Sequence, residues 1–162
     1  MNDINVVAKR EKSSYRVSVD LDNRVFTIKF DPGATDTVIS ARVFSNSLTD
    51  QDLESLTKYC EEHSNHNKEF ISATGDSFKG YLVTAHNVIL CKSVMPDFRY
   101  YLIIKSKRDV ALLGYDFIDN CRCSHDPGKN FYLTGFDVDS YGKNNGAMEN
   151  DEVVAFIDSL SD

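Results

Sequence analysis

With 162 residues the chain is long enough to bury one core without disulfide or metal staples. Its 25 acidic against 18 basic residues leave a formal net charge of −7, which argues against nucleic acid or an anionic membrane as the main partner, because both would repel it. No apolar run approaches the length of a membrane span, and the opening MNDINVVAKREK lacks the apolar core of a signal peptide, so the expected location is cytoplasmic.

Met1 to Ser14 reads as polar and frayed, with Ile4, Val6 and Val7 able to form a short edge strand. Tyr15, Val17, Val19 and Leu21 then alternate with Arg16, Ser18 and Asp20, the pattern of a strand with one wet face. Leu21-Asp22-Asn23-Arg24 supplies turn residues, so this strand is expected to pair as a hairpin with Val25 to Phe30. In that second strand Phe26, Ile28 and Phe30 share one side and Val25, Thr27 and Lys29 the other. The strand delivers Asp31 to its end. Pro32 and Gly33 cannot extend a ladder, and Ala34 is too small to block the backbone. The chain therefore reverses before Thr37, Val38 and Ile39 begin another strand, leaving the Asp31 carboxylate at the tip of a tight loop.

Thr49-Asp50-Gln51-Asp52 has the form of a capping box opening a helix with Leu53, Leu56 and Cys60 on one face, a surface helix over the sheet with its acidic residues in solvent. His63 to Lys68 is a polar loop whose two histidines lack further ligands. Two strand-like runs, Glu69 to Ala73 and Gly80 to Leu90, flank Thr74 to Lys79, and Gly75 and Gly80 fit a hairpin that bends and approaches another backbone closely. Phe98 to Ile104 and Val110 to Leu113 are apolar enough for central strands, with Lys105 to Asp109 a charged turn between them. Gly114 ends the second, Tyr115 to Cys121 fits a short helix, and Asn130 to Phe136 a last strand. Asp137 to Asn150 reads as a linker, and Glu152 to Leu160 as an acidic amphipathic helix that can dock on its own domain or on a partner. The expected organisation is one domain over residues 1–136 and an appendage over 137–162. The four cysteines are read as free thiols. Cys121-Arg122-Cys123-Ser124-His125 lacks the C-x2-C spacing and second ligand pair of a zinc site, so its cysteines are read as structural.

Phe30-Asp31-Pro32-Gly33-Ala34-Thr35, with the apolar run before it and Thr37-Val38-Ile39-Ser40 after, resembles the Asp-Thr/Ser-Gly-Ala loop of the retropepsin-like aspartic proteases. Ala111 to Ile118 (ALLGYDFI) resembles that family's apolar-apolar-Gly strand, which crosses beneath the catalytic loop into a short helix, and Phe70 to Tyr81 resembles its flap hairpin. The resemblance spans Tyr15 to Phe136. It implies an all-β, retropepsin-like closed barrel with a short helix after the Leu-Leu-Gly strand, to which the residue patterns above add a surface helix and a C-terminal helix, the latter outside the family's minimal pattern. It also implies Asp31 as the catalytic residue and Pro32, Gly33, Ala34 and Thr35 as its loop. Ala73, Thr74, Gly75 and Asp76 become the substrate-covering flap, and Leu112, Leu113 and Gly114 the support under the loop. The partners implied are a second copy of the chain, as a homodimer, and a peptide or protein substrate in extended form. No cofactor and no metal are implied.

Aspartic proteolysis needs two carboxylates close enough that they share one proton, giving an acid and a base at once. This chain has one loop of that kind, so it is expected to be catalytic only as a two-fold dimer in which Asp31 meets its counterpart. Asp36 is read as a loop residue, Asp116 as a helix-start residue, and Asp20, Asp22, Asp50, Asp52 and Asp76 as solvated. One departure from the family pattern matters. The residue after the aspartate is normally Thr or Ser, whose hydroxyl and N–H interlock the two loops, and Pro32 has neither group. The alternative reading is therefore a catalytically impaired pseudoprotease that binds peptides or dimerises. Phosphoryl transfer through an aspartyl phosphate is disfavoured, because no second aspartate follows Asp31 by two positions and no Gly-rich phosphate loop is present.

Overall fold

The computed structural model describes residues 4–72, 74–106, 109–142 and 146–160. The chain opens as a meander of β1 (Asn5–Glu11), β2 (Ser14–Leu21) and β3 (Arg24–Phe30). The β2–β3 turn has Asp22 at φ 49° and Asn23 at φ 71°, the doubly left-handed pair that a two-residue hairpin needs. Asp and Asn tolerate it, and the Asp20 carboxylate accepts a hydrogen bond from the Asn23 N–H at 3.0 Å. In β3 Ile28 and Phe30 are buried while Val25 is exposed, as alternation requires.

After β4 (Val38–Ser40) and the single turn α1 (Ala41–Phe44) comes α2 (Asp50–His63). Its capping box is present: the Thr49 hydroxyl accepts from the Asp52 N–H at 3.1 Å, and the Asp52 carboxylate accepts from the Thr49 N–H at 3.0 Å. Leu53, Leu56 and Cys60 are its buried face. The hairpin β5 (Asn67–Ile71) and β6 (Ser77–Ala85) follows, then β7 (Val88–Leu90) and β8 (Ser93–Met95). Gly80 to Leu90 is thus two strands, broken at His86-Asn87, and Cys91 at φ 58° turns the chain into β8. The remaining elements are β9 (Phe98–Ile103), β10 (Ala111–Leu113), α3 (Tyr115–Ile118), β11 (Arg122–His125), β12 (Asn130–Thr134), α4 (Val138–Tyr141), β13 (Met148–Glu149) and α5 (Asn150–Leu160). The segment expected to be a linker therefore carries a short helix, capped by Asp137 accepting from the Ser140 N–H at 3.1 Å, and a strand.

These elements form two compact units. The first holds the described residues of 4–37, 86–98 and 111–142. Its strands run in the order β11-β12-β1-β2-β3-β10, all antiparallel except β10, which lies parallel to β3. The upper half of β2 pairs with β7 and so leads to β8. The N-terminal segment is not a frayed edge: β1 sits between β2 and β12, because Ile4, Val6 and Ala8 repeat at every second residue and are all buried. The second unit holds the described residues of 38–85, 99–110 and 146–160. Its strands run β4-β9-β6-β13, with β4 parallel to β9, β13 parallel to β6, and β5 on β6. The acidic C-terminal helix docks within this unit. Val153, Val154 and Ile157 are buried, and Phe156 stacks on Tyr59 of α2 with ring centroids 4.3 Å apart.

Strands make up 43% of the described residues, so the β-rich class holds, but the strands do not close into the expected barrel. In the first unit one edge of β2 is divided between β1 and β7, so the sheet forks instead of returning on itself. Its outermost strand β11 has all four residues exposed and offers no apolar face to a closing partner. No helix among the described residues is long and apolar enough to cross a membrane.

The capping box generates a direct test. Thr49→Ala should lower stability by about 1 kcal/mol in urea denaturation, with Thr49→Ser close to wild type, because the serine hydroxyl still reaches the Asp52 N–H.

Candidate active site

The site is built on the end of β3. The Asp31 N–H donates to the Leu113 carbonyl at 3.0 Å, extending the β3–β10 ladder one residue past the Phe30–Leu113 pair. Asp31 is half-buried, between buried Phe30 and exposed Pro32. Its backbone carbonyl accepts from the Ala34 N–H at 3.1 Å, and its own carboxylate accepts from the Gly33 N–H at 3.1 Å. The side chain thus closes a turn on itself, as short acidic side chains do. A Cβ at residue 33 would lie 3.3 Å from the same carboxylate oxygen, so any side chain there presses on it.

The far side of the loop is clamped to the β10–α3 junction. The Tyr115 N–H donates to the Ala34 carbonyl at 2.8 Å and the Asp116 N–H to the Thr35 carbonyl at 3.1 Å. The Asp116 carboxylate accepts from the Thr37 hydroxyl at 2.7 Å and the Thr37 N–H at 3.1 Å, and from the Phe117 N–H at 2.8 Å. The fully buried Thr37 hydroxyl in turn accepts from the Gly114 N–H at 3.1 Å. Gly114 is required for space. Its φ of −93° suits any residue, but a Cβ would stand 2.4 Å from the Asp36 carbonyl carbon, 2.5 Å from its oxygen and 2.8 Å from the Thr37 nitrogen. These are backbone atoms and cannot swing aside. Burial pushes the Asp116 carboxyl above the ordinary 3.8; the Thr37 hydroxyl and N–H pull it back, Asp36 pushes it further up, and the Phe117 N–H lowers it.

Asp31, Pro32, Gly33, Ala34 and Thr35 therefore lie together over Leu113 and Gly114, with Leu113 buried and Leu112 half-buried. Thr35 itself is exposed, its hydroxyl donating to Asp36 at 3.0 Å. Asp116 does start a helix, but it is also tied to Thr37, 79 residues away in sequence, a link that no pattern local to Asp116 signals. The only hint in the chain is a polar residue opening an otherwise apolar Thr37-Val38-Ile39 run.

The candidate flap residues belong to the second unit. Thr74, Gly75 and Asp76 form the β5–β6 turn, and Ala73 lies outside the described residues. The Ser72 N–H donates to the Asp76 carbonyl at 2.8 Å, the Thr74 hydroxyl donates to the Asp76 carboxylate at 3.2 Å, and Gly75 takes φ 90°. The base of the hairpin is tied to α2, where one Glu61 oxygen accepts from Lys79 Nζ at 2.7 Å and from the Tyr81 hydroxyl at 2.6 Å. At Gly80 a Cβ would meet the Phe70 ring at 2.6 Å and Tyr101 Cβ at 3.0 Å, so the close approach at this glycine is to side chains and not, as expected, to another backbone.

Among the described residues no three His, Cys, Asp or Glu side chains converge as metal ligands would. Burial pushes the thiols of Cys60 and Cys121 up to about 12, and the His125 ring is stacked on Phe131 at 4.1 Å.

Gly114→Ala should cost about 3 kcal/mol or more, the upper end of overpacking effects, because only the backbone of the loop can yield; equilibrium unfolding measures it. For Asp116 the sign of the pH dependence follows from its raised pKa. Between the unfolded value near 3.8 and the higher folded one, the folded chain holds a proton that the unfolded chain has released. The carboxyl's contribution is complete below that window and is lost as pH rises through the folded value. The margin of wild type over Asp116→Asn should therefore be largest below the ordinary value of 3.8 and shrink as pH rises above it in unfolding titrations; a margin growing with pH would contradict burial as the dominant influence.

No model of a known protein family matches the chain, and no curated protein matches it in sequence. Its structure is similar to the crystal structure of a retropepsin-like aspartic protease from Rickettsia conorii, with a TM-score of 0.53 and 16% identity over 82% of this chain and 91% of that one. At that identity the likeness concerns the fold: the chain has a retropepsin-like fold.

Proposed function

We propose that the chain is an aspartic endopeptidase of retropepsin type, active as a homodimer in which each copy supplies one Asp31. The observation that carries this reading is Asp31 itself: one carboxylate, half-buried, held by the end of a strand and a clamped turn, in a chain whose fold is similar to a retropepsin-like aspartic protease. The chain supplies one such loop, and the chemistry needs two carboxylates, so a second copy completes the site.

In this mechanism the two Asp31 carboxyls share one proton. The ionised one takes a proton from water as its oxygen attacks the scissile carbonyl carbon, and the protonated one gives its proton to the carbonyl oxygen. The resulting diol collapses when the carboxyl that gained the water's proton delivers it to the leaving nitrogen; the C–N bond breaks and the second proton returns to the other carboxylate. Pro32 removes the usual hydroxyl interlock between loops. The loop's order comes instead from the Asp31–Gly33 turn and the Thr37–Asp116 tie, which supports catalysis without that hydroxyl. We assign the enzyme domain to residues 1–136, Ala73 together with the turn of Thr74, Gly75 and Asp76 to substrate covering, and the C-terminal helix to an accessory role; the enzyme works in the cytoplasm with no cofactor.

Asp31→Asn should lower cleavage of a fluorogenic peptide pool by at least ~10²-fold while light scattering finds the same dimer mass in both proteins. Equal activity in the variant, or a monomer with full activity, would sink the proposal.

A further inference from the structure

The register of the first unit brings three cations into one line. Lys9 on β1 is paired with Arg16 on β2, and Arg16 is paired with Lys29 on β3. The same row ends at Asn130 on β12 and Leu112 on β10. Directly paired residues point to the same face of a sheet, and neighbouring strands are about 4.8 Å apart, so the three side chains emerge side by side over roughly 10 Å. Lys9 is exposed, and Arg16 and Lys29 are half-exposed. None of the three makes an ion pair or side-chain hydrogen bond among the described residues. Glu11, two residues along from Lys9, and Asp20, which accepts from the Asn23 N–H, share the face, as does Asp31 at the end of β3; none of the three is paired with the row among the described residues.

Like charges set directly opposite one another destabilise a sheet, and this chain carries a formal charge of −7, so acidic residues to neutralise the row are plentiful in its composition. The row is kept unneutralised all the same. Its position gives the reason. Along β3 buried Ile28 and Phe30 alternate with half-exposed Lys29 and Asp31, so Asp31 leaves the sheet on the face that carries the cations. Asp31 lies two positions beyond Lys29 along the strand, about 6.6 Å of rise.

We infer that this row is the specificity element for an acidic peptide substrate: a Glu or Asp within about two residues of the scissile bond sets its carboxylate on Lys29 and Arg16, with Lys9 extending the site outward. The inference rests on the endopeptidase reading and names the substrate class of that site. A bound carboxylate offsets the mutual repulsion of the row, so the charge arrangement that weakens the empty sheet strengthens the complex.

The test uses the full chain with Asp31→Asn, so that a bound probe is not cut, and two fluorescein-labelled probes, an alternating Glu-Leu octapeptide and its Gln-Leu counterpart. Anisotropy should find the Glu peptide binding about tenfold more tightly at low salt, with the difference collapsing near 0.5 M salt. Adding Arg16→Gln and Lys29→Gln should remove that preference and at the same time raise the thermal midpoint, because repulsion is relieved; a purely structural role would not move the two in opposite directions. Equal binding of both probes, or a preference that survives the two substitutions, overturns the inference. Cleavage assays on the wild-type chain separate the two claims. Cleavage with no enrichment of Glu or Asp near the cut bond defeats this inference alone, and a binding preference without any cleavage defeats the endopeptidase reading alone.

Discussion

The organising constraint of this protein is a missing methyl group. At Gly114 the chain passes from strand to helix directly against the backbone of Asp36 and Thr37, closer than any Cβ allows. That approach lets the Tyr115 and Asp116 N–H groups reach the Ala34 and Thr35 carbonyls, and lets the Gly114 N–H reach the Thr37 hydroxyl. A loop of small and polar residues, which alone would sample many conformations, is thereby ordered by backbone groups that have nowhere to move.

The clamp bears on the chemistry we propose for Asp31. Catalysis by a carboxylate depends on holding it in place before the substrate arrives, since reorganising it during the reaction would add to the barrier. Here Asp31 is fixed from below by the Leu113 carbonyl, from within by the Gly33 N–H, and from behind by the Thr37–Asp116 tie. Pro32 contributes a restricted φ and no hydrogen-bond donor. The loop's rigidity is thus internal to one chain, whereas the Thr or Ser interlock draws on two.

The same sheet carries two different tasks on its two sides. One face is buried, with Val6, Ala8, Val17, Val19 and Ile28 fully enclosed, and at its end Phe131 packs against Phe30 and Tyr15 with ring centroids 4.8 and 4.7 Å away. The other face presents the Lys9–Arg16–Lys29 row beside Asp31. Apolar burial stabilises the sheet enough to tolerate a repulsive row of charges, and such tolerance lets a surface be shaped for a ligand instead of for stability.

Elements whose cause is local were legible from the amino-acid order. The Asp22-Asn23 turn, the Thr49–Asp52 capping box, the alternation of β3 and the reversal after Asp31 each depend on a few adjacent residues whose φ preferences and hydrogen-bonding groups act on one another directly. Features depending on which strands meet were not. The buried place of β1, the forked sheet in place of a closed barrel, the strand β11 and the ordered turns in the supposed linker all depend on partners far along the chain. The Thr37–Asp116 tie spans 79 residues, and the cation row exists only through the register of three strands. The sequence by itself determined that an aspartate would end a buried strand in a small-residue turn. Only tertiary structure decided what grips that turn and which charges stand beside it, because pairing register and backbone clearance are properties of segments brought together, and no single segment encodes them.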